Sequence, residues 1–464
     1  FKNTAILPAG PEGYLVTTEQ NGVFFTPGKK LKIWNHALND IFKKHQVNKC
    51  LKLQNGFLVF GTISEGLYNT TEDGELVYHI NHEKGLQNNT VLSLIEDQDQ
   101  NLWIGLDEGI SVVQLNSPLT YYIDNTGTIG TPYAAKVHQD KFYLGTNHGL
   151  YYRTWLGETD HSFRLIPNTQ GQVWHLLDLG EELLCAHNNG PFLVSDVKAE
   201  QISDNTGGWI SQYLPFDSSY ILQGTYTGLA IFKESPGGWK YSHRVGNLIH
   251  SIRNMLIKED ATIWAANPYR GFYRMRMNSD FTQVTHLETI DTAMGLPSIY
   301  KVDILPWEKE LLIRTEGKYF RYDEANNRFV HTSIIKSTQD QEADFRIFKG
   351  FDQDYFKVFS NKLEFYHSHE LTTTLDVSLI PNDEAIMPLA EGMYLFCLEG
   401  GYALFDPKKI NISRDLDMPA ITRFRSWNKR NELEKDIYIS GAAYPDLELS
   451  NQTNKIQIDF ATHE

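Results

Sequence analysis

Short apolar runs separated by polar turn residues recur along this chain at a spacing near forty residues. The clearest are Trp103-Ile104-Gly105-Leu106-Asp107-Glu108-Gly109-Ile110, Tyr143-Leu144-Gly145-Thr146-Asn147-His148-Gly149-Leu150 and Leu222-Gln223-Gly224-Thr225-Tyr226-Thr227-Gly228-Leu229. The turn position falls at Gly22, Gly66, Gly109, Gly149, Gly190, Gly228 and Gly271. Lys318, Lys362 and Gly401 continue the series, with successive gaps of 44, 43, 40, 41, 38, 43, 47, 44 and 39 residues. Helical repeats of similar length carry apolar residues at a 3.6-residue period, which these segments lack. The pattern predicts an all-β chain: a β-propeller of about ten four-stranded blades, one per repeat.

The unit from Thr90 to Tyr122 shows the strands. Val91-Leu92-Ser93-Leu94-Ile95 is the near-continuous apolar run of an innermost strand. Glu96 to Asn101 is a polar turn whose Asp and Asn side chains bond nearby backbone. Leu102 to Gly105 makes the second strand, Asp107-Glu108-Gly109 the turn, Ile110 to Val113 the third strand, and Leu119 to Tyr122 the outer fourth. In this order the second-to-third turns and the fourth-to-first connections share one face around the central channel. Binding residues are therefore expected on the face carrying the Gly turns.

Ten blades exceed the four to eight of most propellers. The chain therefore divides into the last three blades of one propeller (residues 1–131) and a seven-bladed propeller (132–417) with turns from Gly149 to Gly401. A different segment, 418–464, begins at Met418-Pro419-Ala420-Ile421, with Ile421, Phe424 and Trp427 as expected buried residues. It ends in the strict alternation Lys455-Ile456-Gln457-Ile458-Asp459-Phe460 of a half-buried strand. It is too short for a β-sandwich and reads as the truncated start of one.

Of the 464 residues 41% are hydrophobic and 12% aromatic, ample for a packed β core, and the net charge of −16 argues against nucleic acid or an anionic membrane surface as partner. No run approaches the roughly eighteen apolar residues of a membrane helix. Cys50, Cys185 and Cys397 lie in separate repeats without metal-ligand spacing, so they read as plain buried thiols. Phe1 follows neither an initiator Met nor a signal peptide, so an upstream part is expected to be missing. No metal or cofactor motif, nucleophile elbow or phosphate loop occurs.

The unit Val91 to Asp97, then Asn101-Leu102-Trp103-Ile104-Gly105 and Gly109-Ile110, resembles the two-component-regulator propeller repeat. The tail from Pro419, with Asn454 to Phe460, is similar to the opening of the triple-tyrosine domain, an Ig-like β-sandwich that follows such propellers. The resemblance implies the periplasmic sensor region of Bacteroidetes hybrid two-component regulators, or of related one-component ones. Such regions sense glycan fragments and control carbohydrate-utilisation genes. It further implies a homodimer in the full receptor, tethered to the membrane only through sequence downstream, with a histidine kinase or a DNA-binding domain as output. The sensor region itself is then not an enzyme.

A sugar-binding face needs aromatic rings and planar polar groups. His148, His187, Asn188, Tyr226, Tyr269 and Arg270 sit on Gly turns, and Trp174 and Trp209 just after fourth-to-first connections, so all eight are candidate ligand contacts for a small molecule or oligosaccharide. Each has an ordinary alternative, since a turn His is commonly solvated and a Trp at a strand start commonly packs between blades. Trp103 and Trp264, inside the repeated strand motif, are expected to pack between blades. Glu108, Glu316 and Glu399 are the turn carboxylates a propeller glycosidase would use, although acidic residues are common in any exposed turn. A protein-interaction scaffold and a propeller glycosidase or lyase remain as alternatives to the sensor.

Overall fold

The computed structural model describes residues 2–9, 13–27, 30–124, 126–155, 162–308, 310–332, 344–381, 383–410, 420–438 and 448–461. The chain is all-β and forms two compact units, residues 1–409 and 410–464.

Seven four-stranded antiparallel sheets lie between Leu119 and Phe405. The first six blades use four consecutive strands each. Their innermost strands are Pro132–His138, Val173–Asp178, Ile210–Leu214, Asn254–Ile257, Asp303–Trp307 and Arg346–Lys349. The seventh blade takes Ile386–Pro388, Tyr394–Leu398 and Gly401–Phe405 from the end of the unit, and Leu119–Ile123 from before the first blade. Leu119 pairs with Phe405, Tyr121 with Ala403 and Ile123 with Gly401. This corrects the sequence expectation that Leu119 to Tyr122 is the outer strand of the unit begun at Thr90. The ring thus draws on residues ahead of Pro132, and the sheet of Val91–Glu96, Asn101–Leu106 and Ile110–Gln114 keeps three strands. Closing the ring with a strand from the opposite end removes an unpaired sheet edge.

The core lies between blades. Tyr143 and Leu150 of the first pack on Val173, Leu176 and Cys185 of the second. Leu222 and Ile231 of the third meet Met255 and Ala265 of the fourth. Trp264, fully buried as expected, packs with Phe272 against Ile304, Ile313 and Phe329 of the fifth. The seventh blade joins the sixth through Phe356 against Phe396, ring centroids 5.6 Å apart, and the first through Tyr402 against Phe142, at 5.8 Å.

Two repeated sequence features have local causes. In the Gly turns a threonine hydroxyl donates to the glycine carbonyl: Thr18 to Gly22, Thr62 to Gly66, Thr146 to Gly149 and Thr225 to Gly228. At Gly149, with φ +154°, a Cβ would stand 2.9 Å from the Thr169 carbonyl oxygen, so a side chain is excluded. The Glu-Asp pair also has a structural role. Glu96 accepts from the Gln54 N–H of the preceding blade at 2.8 Å, and Asp97 accepts from Asn101 N at 2.8 Å and Trp103 Nε1 at 2.7 Å.

Trp103 departs from expectation. It is 43% exposed, in a row with Ile95 and Val112 on the sheet face that no blade covers among the described residues. The opposite face, with Leu102 and Ile104, packs on Leu53, Val59 and Leu67 of the preceding sheet. A helix the strand pattern did not predict, His36–His45, joins the first two sheets. Asn35 caps it by accepting from Leu38 N at 3.0 Å, and Leu38 and Phe42, one turn apart, are buried beside Phe60.

The second unit holds an antiparallel three-stranded sheet of Ala420–Asn428, Leu433–Tyr438 and Thr453–Ala461. Phe424 is buried and Ile421 and Trp427 are half-buried. The strand predicted at Lys455–Phe460 is present, but Ile456, Ile458 and Phe460 are exposed rather than half-buried, because no second layer faces them among the described residues. Met418 and Pro419, where this segment was expected to begin, lie outside the described residues. No described helix is long and apolar enough to cross a membrane.

Candidate functional site

The innermost strands of neighbouring blades pack side by side and start on the face that carries the Gly turns. Side chains at those starts therefore converge on the channel mouth. Tyr133, Trp174 and Trp209, at the starts of the first three innermost strands, form a continuous aromatic wall. Tyr133 and Trp174 have ring centroids 4.8 Å apart, and Trp174 and Trp209 4.4 Å. Tyr226 completes it from the Gly turn of the third blade, 5.1 Å from Trp209, and its hydroxyl accepts from Trp174 Nε1 at 3.3 Å. All four rings are half-buried. The Trp209 indole N–H has no partner among the described residues.

The sequence Gly207-Gly208-Trp209 explains how this wall is built. Gly207, at φ +81°, runs flat beneath Tyr226, where a Cβ would fall 1.9 Å from Cγ of the ring. At Gly208 a Cβ would stand 2.9 Å from the Gln223 side chain. Only a chain without side chains at both positions can deliver Trp209 beside Tyr226.

The other side of the mouth is charged. Arg253, just before the fourth innermost strand, lies over Trp209 at 4.8 Å and pairs with Asp383, before the seventh, at 2.5 Å. The fourth and seventh blades are not neighbours, so this pair bridges the mouth. Asp303 accepts from Arg346 Nε and Nη2, both at 2.9 Å, and from Arg314 at 3.1 Å. Arg346 also pairs with Glu384, and Arg314 with Asp344. Burial pushes the Tyr133 hydroxyl above its ordinary range; the Asp383 charge adds to this and Arg253 opposes it. The wall and the bridging pair therefore share one electrostatic environment. Next to Trp174, burial and the Lys136 charge lower His175 to about 4, which keeps its ring neutral.

Of the eight sequence candidates, the fold brings together Trp174, Trp209 and Tyr226. His187 is fully buried, held between the Thr169 carbonyl (3.2 Å) and Asn189 N (3.0 Å), edge-on to Phe192. Asn188 uses its Oδ1 on Gln172 N at 2.9 Å. Both are committed to backbone groups, of the turn at Asn189 and of the adjoining connection at Thr169 and Gln172. His148 is exposed, its Nδ1 3.3 Å from the Thr128 carbonyl. Tyr269 is 74% exposed and Arg270 is exposed beside it, on a turn whose backbone is fixed by Asn267. Neither has a ring or ion-pair contact with the wall. Sequence reasoning missed Tyr133, Arg253, Asp303, Arg346, Asp383 and Glu384. Their signal is the one that found Trp174 and Trp209, placement at the start of an innermost strand.

Glu108, Glu316 and Glu399 are exposed, and Glu108 lies outside the ring. Cys185 and Cys397 are buried free thiols, raised above their ordinary range by burial. No cluster of three metal-ligating side chains occurs among the described residues. A shallow groove of about 470 Å³ on the fifth blade, lined by Leu296, Pro297, Lys318, Phe320 and His331 among others, offers one phenyl and one imidazole ring against the four rings at the mouth.

Residues 85–108 match the family described as two component regulator propeller. No curated protein sequence matches the chain. Among solved structures the chain is similar to one described as the extracellular domain of a hybrid two-component system from Bacteroides thetaiotaomicron. Identity is 16% and TM-score 0.64, over 94% of this chain and 61% of that one. This chain thus spans about three fifths of that protein's length. A second such extracellular domain from the same organism gives 16% identity and TM-score 0.47 over 93% and 61% of the two chains. Virginiamycin B lyase from Staphylococcus aureus gives 13% and 0.43 over 62% and 98%. At these identities the likeness is one of fold.

Proposed function

We propose that this chain is the ligand-sensing part of an extracytoplasmic signal-transduction regulator, and that its ligand is an oligosaccharide held at the mouth of the seven-bladed ring. The observation that carries the reading is the wall of Tyr133, Trp174, Trp209 and Tyr226. Four half-buried rings in contact give an extended apolar surface, and the apolar faces of pyranose rings are complementary to such surfaces. The Arg253–Asp383 pair beside it supplies planar donors and acceptors for hydroxyls. The match at residues 85–108 and the fold shared with a two-component extracellular domain support the sensor role.

Sensing requires that the ligand favour one receptor state over another; equal affinity for both would transmit nothing. In this reading the chain acts as a homodimer in the full receptor, and an output domain beyond it controls carbohydrate-utilisation genes.

The test is a thermal-shift screen of oligosaccharides against the chain. A ligand that binds only the folded ring raises its melting temperature, and the shift grows with the logarithm of ligand concentration above Kd. The reading expects at least one oligosaccharide class to do so, with the shift lost in Trp209→Ala. A panel with no shift, or one unaffected by Trp209→Ala, overturns the site.

A further inference from the structure

Three arginines at the mouth, Arg253, Arg346 and Arg314, already hold carboxylates. Arg253 holds Asp383, Arg346 holds Asp303 and Glu384, and Arg314 holds Asp303 and Asp344. Three cations thus meet four carboxylates, which leaves the group with an excess of negative charge. Only Arg253 reaches the aromatic wall, with its guanidinium on the face of Trp209. A ligand lying on that wall therefore meets Arg253 and Asp383 together.

We infer that the mouth selects uncharged sugars, and that Asp383 is the residue that turns anionic ones away. The inference rests on the oligosaccharide reading above and adds the chemical class of the ligand. A uronate or sulfate drawn to Arg253 would have to displace Asp383, then sit beside the displaced carboxylate in a partly desolvated site. Juxtaposed like charges disfavour such a complex strongly. A neutral ring meets no such opposition. Its vicinal hydroxyls accept from the guanidinium and donate to the carboxylate while the pair stays intact, and both side chains are partly exposed, at 32% and 43%, so hydroxyls can reach them. Asp303, Asp344 and Glu384 hold Arg346 and Arg314 across the fifth, sixth and seventh blades, so neither of these two arginines is free to take an anion.

The experiment is a glycan array carrying neutral, uronate-containing and sulfated oligosaccharides, probed with the wild-type chain, with Trp209→Ala and with Asp383→Asn. Wild-type binding is expected for neutral oligosaccharides alone and is expected to vanish in Trp209→Ala. Asp383→Asn, which keeps the shape of the side chain and removes its charge, is expected to gain acidic oligosaccharides by about tenfold or more. Acidic oligosaccharides bound by the wild type and lost in Trp209→Ala would overturn the inference while leaving the oligosaccharide reading intact. Failure of Asp383→Asn to gain them, with its melting curve unchanged, would overturn it as well. Absence of any bound glycan would sink the underlying reading and this inference with it. Should Asp383→Asn not fold, the wild-type array decides alone.

Discussion

The ring closes through a strand lying about 280 residues from its partner, and Tyr122 and Tyr402 give a direct handle on that pairing. Tyr122, in Leu119–Ile123, stacks on Tyr402 of the seventh blade with centroids 4.7 Å apart and planes 12° from parallel. Arg153 of the first blade lies 5.8 Å over Tyr122, and Tyr402 is 3% exposed. Tyr402→Ala removes a buried ring that Phe142 and Phe163 also touch, and is expected to cost about 3–5 kcal/mol. Tyr122→Ala, from a half-buried site, is expected to cost about 1–3 kcal/mol. The informative quantity is the coupling. A stacked pair contributes about 0.5–1.5 kcal/mol beyond its burial, so the double variant should be less destabilised than the two single losses together by that amount. Urea denaturation followed by aromatic fluorescence measures all four corners of the cycle. Tyr121→Ala, from a residue 49% exposed on the same strand, serves as a control and should combine additively with Tyr402→Ala. Strict additivity for Tyr122 and Tyr402 would mean that the strand does not complete the seventh blade, and the ring closure would fall.

The two repeat-motif tryptophans should differ. Trp264→Ala, at 1% exposure between the fourth and fifth blades, is expected to cost about 3–5 kcal/mol, and Trp103→Ala, at 43%, less than about 1 kcal/mol, read as shifts in denaturation midpoint. Gly207→Ala places a Cβ against the Tyr226 ring at φ +81°, so it should both destabilise the third blade and disturb the near-ultraviolet circular dichroism of the Trp174–Trp209–Tyr226 cluster. His175 is lowered from 6.5 to about 4 by burial, so below pH 6.5 the unfolded chain takes up a proton that the folded chain refuses. Stability should therefore be lost as pH falls between those values, and His175→Leu should flatten that part of the profile; an unchanged slope would contradict the assignment.

The repeat was legible because each blade states it locally. An apolar run, a polar turn and a threonine–glycine hairpin need only neighbours in sequence, so the hairpins at Gly149, Gly190, Gly228, Gly271 and Gly401 fall where the spacing put them. The closing strand was not legible. Leu119–Ile123 has the same alternating pattern whether it ends one blade or completes another, and the choice is made by tertiary pairing with Gly401–Phe405. Trp103 was misjudged for a related reason: the motif that buries Trp264 does so only where another blade covers that face. The helix His36–His45 carries its signal in Asn35, Leu38 and Phe42, which a search for strand periodicity passes over.

At the site, Trp174 and Trp209 at strand starts and Tyr226 on a Gly turn stood out as large aromatic side chains, and these three meet. The arginines and carboxylates opposite did not, because a charged residue beside a turn ordinarily signifies solvent. Only the ring geometry brings Arg253 within reach of Asp383. His187 and Asn188 carried the right chemistry at the right turn but are taken up by backbone groups of the connection ahead of the second innermost strand, at Thr169 and Gln172.

The proposed ligand surface is the aromatic wall of Tyr133, Trp174, Trp209 and Tyr226 at the channel mouth. Isothermal titration of the best-stabilising oligosaccharide into Trp209→Ala and, side by side, into Tyr269→Ala tests it most directly. Loss of a central aromatic contact should weaken binding by about thirtyfold or more in the first variant, whereas the second, altering a ring 74% exposed on the Gly turn of the fourth blade, should stay within a few-fold of wild type. The reverse order, with Tyr269→Ala losing the ligand and Trp209→Ala retaining it, would place the ligand on the fourth-blade turn instead of the wall.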